Sequence, residues 1–170
     1  HVAVSPTLDR HAISPLVYGV NYGTTQEFTG VPYTVRRWGG NSTTRYNWQL
    51  DTHNTASDWF FMNIPSGIAN PAALPDGSDA DLFVAETRGA GAQVVMTAPT
   101  IGWTPKARQK DWGFSVTRYG AQTQTECSVT GNVFWCTGDA RNGVRASNGQ
   151  PITGNDPHDT SVEIGPDFVA

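Results

Sequence analysis

The chain has 170 residues, of which 38% are hydrophobic and 15% charged, and its 18 glycines and 11 prolines indicate a globular protein rich in loops. A net charge of −4 with no basic run longer than Arg36-Arg37 argues against a nucleic-acid partner or an anionic membrane surface. No apolar run approaches the ~20 residues of a membrane-spanning helix, and the first residues carry no signal peptide, so we expect a mature or trimmed chain.

The first part of the chain predicts three short strands. Val2 and Val4 alternate with other residues in the manner of a strand before the turn residues up to 14. Residues 16–21 form an apolar run that ends at an Asn, and residues 33–38 form a β-branched and aromatic run that stops at a Gly-Gly pair. The segment after this stop is polar and aromatic, which suits the mouth of a site better than a core.

A helix and a further strand follow a long polar insertion at 41–77. Residues 78–81 resemble a capping box, and the helix predicted over 81–89 carries one face made of Leu82, Ala85 and Glu86, with Phe83 beside it. An Ala-Gly-Ala sequence closes this helix. Residues 93–99 are a continuous apolar run, which is typical of a strand buried on both faces.

The end of the chain repeats the pattern of insertion and helix start. A second polar, Gly-rich insertion covers about 102–165, and Pro166 then opens what looks like the first turn of a helix. Buried strands that alternate with helices predict a parallel α/β arrangement. Because the long loops follow the strands, we expect segments 21–31, 39–77 and 99–125 to gather at one face. Three strands cannot close a barrel, so the sheet is open or the chain is the first part of a larger protein.

Four ordered motifs carry a family resemblance: YGVN at 18–21, RRWGGNSTTRYNW at 36–48, SDWFF at 57–61 and TGNDPHD at 153–159. Together they resemble the N-terminal part of glycoside hydrolase family 44, whose members are endoglucanases and xyloglucanases that cut β-1,4-glucans. The resemblance implies a (β/α)8 barrel paired with a β-sandwich. On that template residues 1–14 belong to the sandwich, and residues 15–170 hold the first three β/α units of the barrel.

The resemblance also implies catalytic residues that this chain does not offer. Retaining glycosidases need two carboxyl groups about 5 Å apart, and in this family they are glutamates at the ends of barrel strands four and seven, the first within an Asn-Glu pair. None of the glutamates of this chain follows an Asn: Glu27, Glu86, Glu126 and Glu163. We therefore assign no catalytic residue and expect the chain to carry substrate-binding residues alone.

The aromatic side chains are candidates for sugar contacts, since Trp and Tyr stack on the flat faces of sugar rings. The candidates for substrate binding are Asn41, Trp59, Trp48, Trp103 and Arg37. Some of these tryptophans could instead pack beneath the loops as small satellite cores. Arg36 should point away from Arg37 and pair structurally, because neighbouring side chains of a strand face opposite sides.

Two cysteines, Cys127 and Cys136, flank a Gly-Asn turn signal. A hairpin-like loop between them favours a disulfide over free thiols, because no Cys/His metal spacing accompanies the pair. This prediction points to an oxidising, secreted setting, and Trp135 would then pack on the disulfide.

Metal sites are the remaining alternatives. Oxygen-bearing side chains that suit a structural Ca²⁺ cluster in Gly-rich loops, namely Asp139, Asn142, Asn155, Asp156 and Asp159. The same residues could simply cap their own turns. An N-terminal copper site built on His1 fits the α/β pattern poorly. No cofactor is required.

The sequence as a whole predicts a secreted glycosidase acting on β-1,4-glucans, with the remainder of the same polypeptide as its partner. Two alternatives stay open: a non-catalytic carbohydrate-binding module, in which the same aromatics bind glucan, and a structural or filament-forming extracellular protein that reuses the fold.

Overall fold

The structure is a computed structural model that describes residues 2–24, 26–31, 33–130 and 133–170, without the side chains of residues 28, 29 and 126–139. The α-helices are α1 (Glu27–Gly30), α2 (Asn41–Thr44), α3 (Asp79–Gly89) and α4 (Val116–Tyr119). The strands are β1 (Gly19–Asn21), β2 (Val35–Trp38), β3 (Thr52–Asn54), β4 (Met62–Pro65), β5 (Gln93–Met96), β6 (Trp103–Pro105), β7 (Asp111–Trp112), β8 (Thr125–Thr130), β9 (Val133–Arg141) and β10 (Ser161–Glu163). Within the described ranges, no helix has the length and apolar character needed to cross a membrane.

A parallel sheet with the order β1-β2-β5 organises the fold. Asn21 pairs with Arg37, and Arg37 pairs with Val95. The three strands therefore run in the same direction, and their carboxyl ends lie together at one end of the sheet. The predicted α/β class is therefore confirmed, with strands shorter than the predicted runs. That these strands open an eight-stranded barrel stays a prediction, because the described sheet is open.

Strand β5 is not buried on both faces, and that prediction is wrong. The side chains of Val95 and Met96 are 49% and 41% exposed. Val94 packs against the buried aromatic residues on the α3 side of the sheet, whereas Val95 faces the opposite side, because neighbouring side chains of a strand alternate. Hydrophobic character shows that a strand can be buried, but the burial itself needs a covering layer.

Helix α3 begins and ends where the sequence predicts. The Ser78 hydroxyl accepts a hydrogen bond from the Asp81 amide at 3.3 Å. At the other end, Gly91 has φ +76°, and its amide donates to the Arg88 carbonyl at 3.0 Å, while the Ala92 amide donates to the Thr87 carbonyl at 3.1 Å. These two bonds form a Schellman motif, which requires a left-handed residue that glycine adopts without strain.

The buried face of α3 differs from the predicted one. Phe83 and Thr87 are buried, whereas Leu82, Ala85 and Glu86 are exposed. Phe83 faces the sheet because its ring packs edge-on against Trp38, with centroids 5.3 Å apart.

The core between α3 and the sheet is aromatic. Trp38, Tyr46 and Phe83 form its buried cluster, and Tyr22 packs against it. Arg36 joins this layer, with its guanidinium 4.1 Å from the Phe83 ring centroid and 3.1 Å from Glu86. The predicted structural pairing of Arg36 is confirmed. Glu86, which is half exposed, holds this arginine.

The two predicted insertions contain antiparallel sheets that the sequence did not reveal. Strands β3, β4 and β7 pair in that order, and β6 pairs with β10. Strands β8 and β9 form a hairpin. The predicted turn at 131–132 lies outside the described residues.

The chain ends differ in how well they match the predictions. Residues 2–14 form no strand in the described structure, and Val2 and Val4 are 93% and 82% exposed. A strand needs a partner for its backbone hydrogen bonds, and no described strand lies beside this segment. Its place in an accessory β-sandwich stays a prediction. Residues Pro166–Phe168 make a single 3₁₀ turn with the proline at its start, as expected of a helix opening.

Candidate functional site

A cleft of about 470 Å³ opens among the loops that follow the strands. Its walls come from segments after β2, from β6 and β7 and their connections, and from the segment before β10. The lining residues are mostly neutral polar or aromatic: Asn41, Thr44, Arg45, Asn54, Ala56, Phe61, Ile101, Trp103, Gly113, Phe114, Asn155, Pro157 and Thr160. Of the three predicted loop segments, 39–77 and 99–125 do gather here, whereas no residue of 21–31 lines this cleft.

The Gly-Gly pair after β2 turns the chain into the cleft. Gly40 has φ +109°, which glycine adopts without strain, whereas a Cβ at Gly39 would meet the guanidinium of Arg37, the flexible end of an exposed side chain. Asn41 follows as the first residue of α2 and lines the cleft. Its amide donates to the Asp58 carboxylate, which links this wall to the turn that contains Trp59.

Trp59 lies in a neighbouring pocket. This pocket of about 310 Å³ shares Phe61 with the main cleft. The turn around Trp59 holds Ala56, Phe60 and Phe61 at φ +48°, +56° and +53°. Positive φ angles are unfavourable for residues other than glycine. Residues with such angles are concentrated at active sites and ligand-binding sites. The Trp59 ring packs edge-on against Phe60 at 5.1 Å.

Trp103 lines the main cleft from β6. Its ring packs edge-on against His158, with centroids 4.9 Å apart. His158 is fixed in turn by Asp156, whose carboxylate lies 2.8 Å from the imidazole Nδ1. This hydrogen bond and a second one from the His158 backbone amide, with the Arg118 charge as a smaller cause, hold the pKa of Asp156 below its usual range.

Two predicted binding residues lie outside the lining of this cleft. Trp48 donates its indole N–H to the Phe168 carbonyl at 2.9 Å and packs on the Phe168 ring at 5.9 Å. Arg37 lies near the carboxyl end of β2, where its guanidinium donates a hydrogen bond to the Asn21 side chain at 3.0 Å. The structure therefore brings Asn41 and Trp103 to the cleft, sets Trp59 beside it, and places Arg37 and Trp48 elsewhere.

The predicted calcium ligands are only partly together. Asp156 and Asp159 share the guanidinium of Arg118, and Asp159 also accepts a hydrogen bond from Tyr119 at 2.8 Å. Asn155 lines the cleft, while the Asn142 amide donates to Thr123 at 2.8 Å. The side chain of Asp139 lies outside the described residues. No group of three His, Cys, Asp or Glu side chains in the described part of the chain could hold a metal. A calcium site involving the asparagines stays a prediction, and the copper hypothesis rests on His1, outside the described residues.

The backbone places the two cysteines opposite each other. Cys127 and Cys136 are register partners in the β8–β9 hairpin. Their side chains lie outside the described residues, as does that of Trp135. The disulfide therefore stays a prediction with which the strand register agrees.

The described glutamates are engaged away from the cleft lining. Glu27 accepts a hydrogen bond from the Thr24 amide, Glu86 pairs with Arg36, and Glu163 lies in β10. The side chain of Glu126 lies outside the described residues. The residues that line the cleft include no carboxylate.

Some cleft residues were not recognised in the sequence. Phe61 and Phe114 pack edge-on with centroids 4.9 Å apart, and Arg45 and Asn54 complete the wall. Phe61 stands in the SDWFF motif and Arg45 in RRWGGNSTTRYNW, so both were within motifs already noted. Asn54 and Phe114 had no sequence signal, because their place depends on pairing between distant segments.

Comparisons with known proteins point to one family. The sequence model described as Glycoside hydrolase family 44 matches residues 52–170. The crystal structure of a bifunctional glucanase-xylanase from a metagenome library superposes with a TM-score of 0.78 at 39% identity, covering 94% of this chain and 29% of that chain.

Two curated proteins also match. The beta-mannanase/endoglucanase A of Caldicellulosiruptor saccharolyticus is 37% identical over 59 residues, which are 35% of this chain and 4% of that protein. The endoglucanase A of Paenibacillus lautus is 28% identical over 104 residues, which are 58% of this chain and 14% of that protein. The chain thus spans less than a third of the length of each relative.

Proposed function

Since the chain belongs to glycoside hydrolase family 44, we propose that it forms a substrate-binding wall of a secreted hydrolase that acts on β-1,4-glucans. One observation carries this proposal: the cleft that follows the strands is lined by aromatic rings, amides and hydroxyls. Flat rings suit the C–H faces of glucosyl units, and amides and hydroxyls suit their hydroxyl groups. The activities named for the relatives are glucanase, xylanase, mannanase and endoglucanase, and they support a polysaccharide substrate.

In this proposal the aromatic side chains orient the glucan. Trp103 and the Phe61–Phe114 pair offer apolar surface within the cleft, and Trp59 extends that surface into the neighbouring pocket. Asn41 is held by Asp58, so its amide is fixed before substrate arrives, which lowers the entropy lost on binding.

The chemistry would come from residues outside this chain. Retaining hydrolysis uses one carboxyl group as acid/base and a second as nucleophile, about 5 Å apart. The lining of the cleft contains no carboxylate, and the relatives are more than three times longer than this chain. We therefore assign the two catalytic carboxyl groups to the remainder of the polypeptide.

Substitution of Trp59 tests the binding role. We expect Trp59→Ala to weaken binding of the full-length protein to soluble β-glucan by about 1–3 kcal/mol, the scale of one lost aromatic platform. Affinity electrophoresis in gels with and without glucan measures the change. Trp59→Phe keeps an aromatic ring and should retain most of the affinity. Unchanged mobility of Trp59→Ala in the glucan gel would contradict the proposal.

The lack of an acid in the cleft also favours a second candidate, a carbohydrate-binding module without hydrolysis. Release of reducing sugar by the full-length protein from xyloglucan and carboxymethyl-cellulose separates the two. Hydrolysis supports the glycosidase, whereas tight binding with no released sugar supports the module.

A further inference from the structure

Arg45 stands apart from the other residues that line the cleft. It follows α2 directly and is the only charged residue among the lining residues. Arg45 is half-buried, and within the described part of the chain its guanidinium makes no hydrogen bond or ion pair with another residue.

The main chain at Arg45 is held in place although the guanidinium is not. Its carbonyl accepts a hydrogen bond from the Thr104 hydroxyl at 3.1 Å, and its amide bonds to the Thr43 carbonyl. The next residue, Tyr46, is buried in the aromatic core. The arginine is thus anchored on a rigid wall with its donors unused by the described residues.

The acids near the cleft are already engaged. Asp58 accepts the Asn41 amide, and Asp156 and Asp159 face Arg118. None of these carboxylates contacts Arg45 in the described structure. The chain carries a net charge of −4, so a lone cation in a neutral cleft is not the effect of a generally basic surface.

A partly buried guanidinium offers five donors in a planar fork that matches a carboxylate. A sugar hydroxyl accepts a single hydrogen bond from this charged donor, whereas a carboxylate brings its own negative charge and accepts two parallel N–H bonds, so the bidentate pair binds more strongly. We propose that the cleft accepts a β-1,4-glycan bearing a carboxylate substituent, such as a uronic acid side group, and that Arg45 is the residue that selects it. This inference rests on the proposed function of the same cleft.

The test compares two matched oligosaccharides on the full-length protein by isothermal titration calorimetry. The probes are xylohexaose and xylohexaose carrying one glucuronic acid substituent. Wild-type protein should bind the acidic probe about tenfold more tightly, as a charge-assisted pair in a half-buried site implies. This preference should shrink as salt is raised, because ions screen the pair.

Substitutions of two arginines test whether Arg45 causes the preference for the acidic probe. Arg45→Gln should reduce the tenfold ratio to about one, because it weakens binding of the acidic probe more than binding of the plain one, whereas Arg45→Lys should keep part of the ratio. Arg88→Gln, an equal change of charge on the exposed face of α3, should keep the full ratio. Circular dichroism confirms that each variant is folded.

The outcomes separate the two proposals. Wild-type protein that binds plain xylohexaose with no preference for the acidic probe overturns the inference alone, and so does binding of β-glucan without binding of either xylohexaose probe. Loss of the preference in Arg88→Gln as well as in Arg45→Gln overturns the role of Arg45. Wild-type protein that binds neither the xylohexaose pair nor β-glucan overturns the proposed function and the inference together.

Discussion

Asp51 shows how much one residue can depend on contacts that are distant in sequence. It is 0% exposed, and its carboxylate accepts hydrogen bonds from the Tyr46 hydroxyl at 2.5 Å and the Asp79 amide at 3.1 Å. The Arg108 guanidinium lies 3.9 Å from the second carboxylate oxygen. Burial, followed by the hydrogen bond and charge of Asp51, raises the pKa of Tyr46.

Asp51→Asn should lower the free energy of unfolding by about 1.5–3 kcal/mol, the scale of hydrogen bonds to a buried charged group. Asparagine has nearly the same shape and tolerates the φ of +45° found here, so the loss isolates the charge. Urea unfolding of the full-length protein measures the change.

Asp76→Asn is the control, because Asp76 is an exposed turn residue, and its effect should stay within about 0.5 kcal/mol. Equal effects of the two substitutions on the free energy of unfolding would contradict a stabilising role for the Asp51 carboxylate.

Elements differ in how far local sequence specifies them. Helix α3 has its own start and stop signals, and strands β1, β2 and β5 are apolar runs that end at turn residues, so all four were predictable. Strands β3 and β4 were missed because they are buried through polar contacts. Asn54 donates to Asn63 at 2.8 Å, and Asn63 donates to the Thr160 carbonyl at 2.8 Å. No hydrophobic alternation marks such strands.

The amino-terminal cap of α3 gives a test at this scale. Ser78→Ala removes the acceptor of the Asp81 amide and should destabilise the protein by about 1 kcal/mol. The matched control is Ser115→Ala, since Ser115 precedes α4 but makes no capping hydrogen bond with its side chain. Thermal unfolding of both variants should show a clear decrease for the first and little for the second. A larger loss for Ser115→Ala would contradict the assigned cap.

At the scale of the whole molecule, the resemblance recognised from four motifs is confirmed, and the family match at 52–170 includes the later two. The parallel sheet ends at β1 and β5 with no described strand beyond either edge. Unpaired edges and exposed apolar side chains such as Val95 and Met96 favour association with other chains.

The isolated 170-residue chain should therefore hydrolyse no glucan and should aggregate or stay partly unfolded. No described residue that lines its cleft carries a carboxylate, so we expect the oxocarbenium-like transition state to lack both acid and nucleophile. Reducing-sugar assays on carboxymethyl-cellulose and xyloglucan, with circular dichroism on the same sample, test both statements. A folded monomer that releases sugar would overturn them and the assignment of the catalytic groups.

The sequence by itself determined the order of β1, β2, α3 and β5, the caps of α3, the family, and the presence of Asn41 and Trp103 at the cleft. These follow from patterns within a few residues, such as a strand that stops at Gly39-Gly40 before Asn41. Only the tertiary structure decided that the Trp48 indole donates a hydrogen bond to Phe168, 120 residues away, and that Arg45 lines the cleft. It also decided which face of α3 is buried and that β5 lies at an open edge. Such features depend on which distant segments come together, because burial and hydrogen bonding are properties of contacts rather than of local sequence.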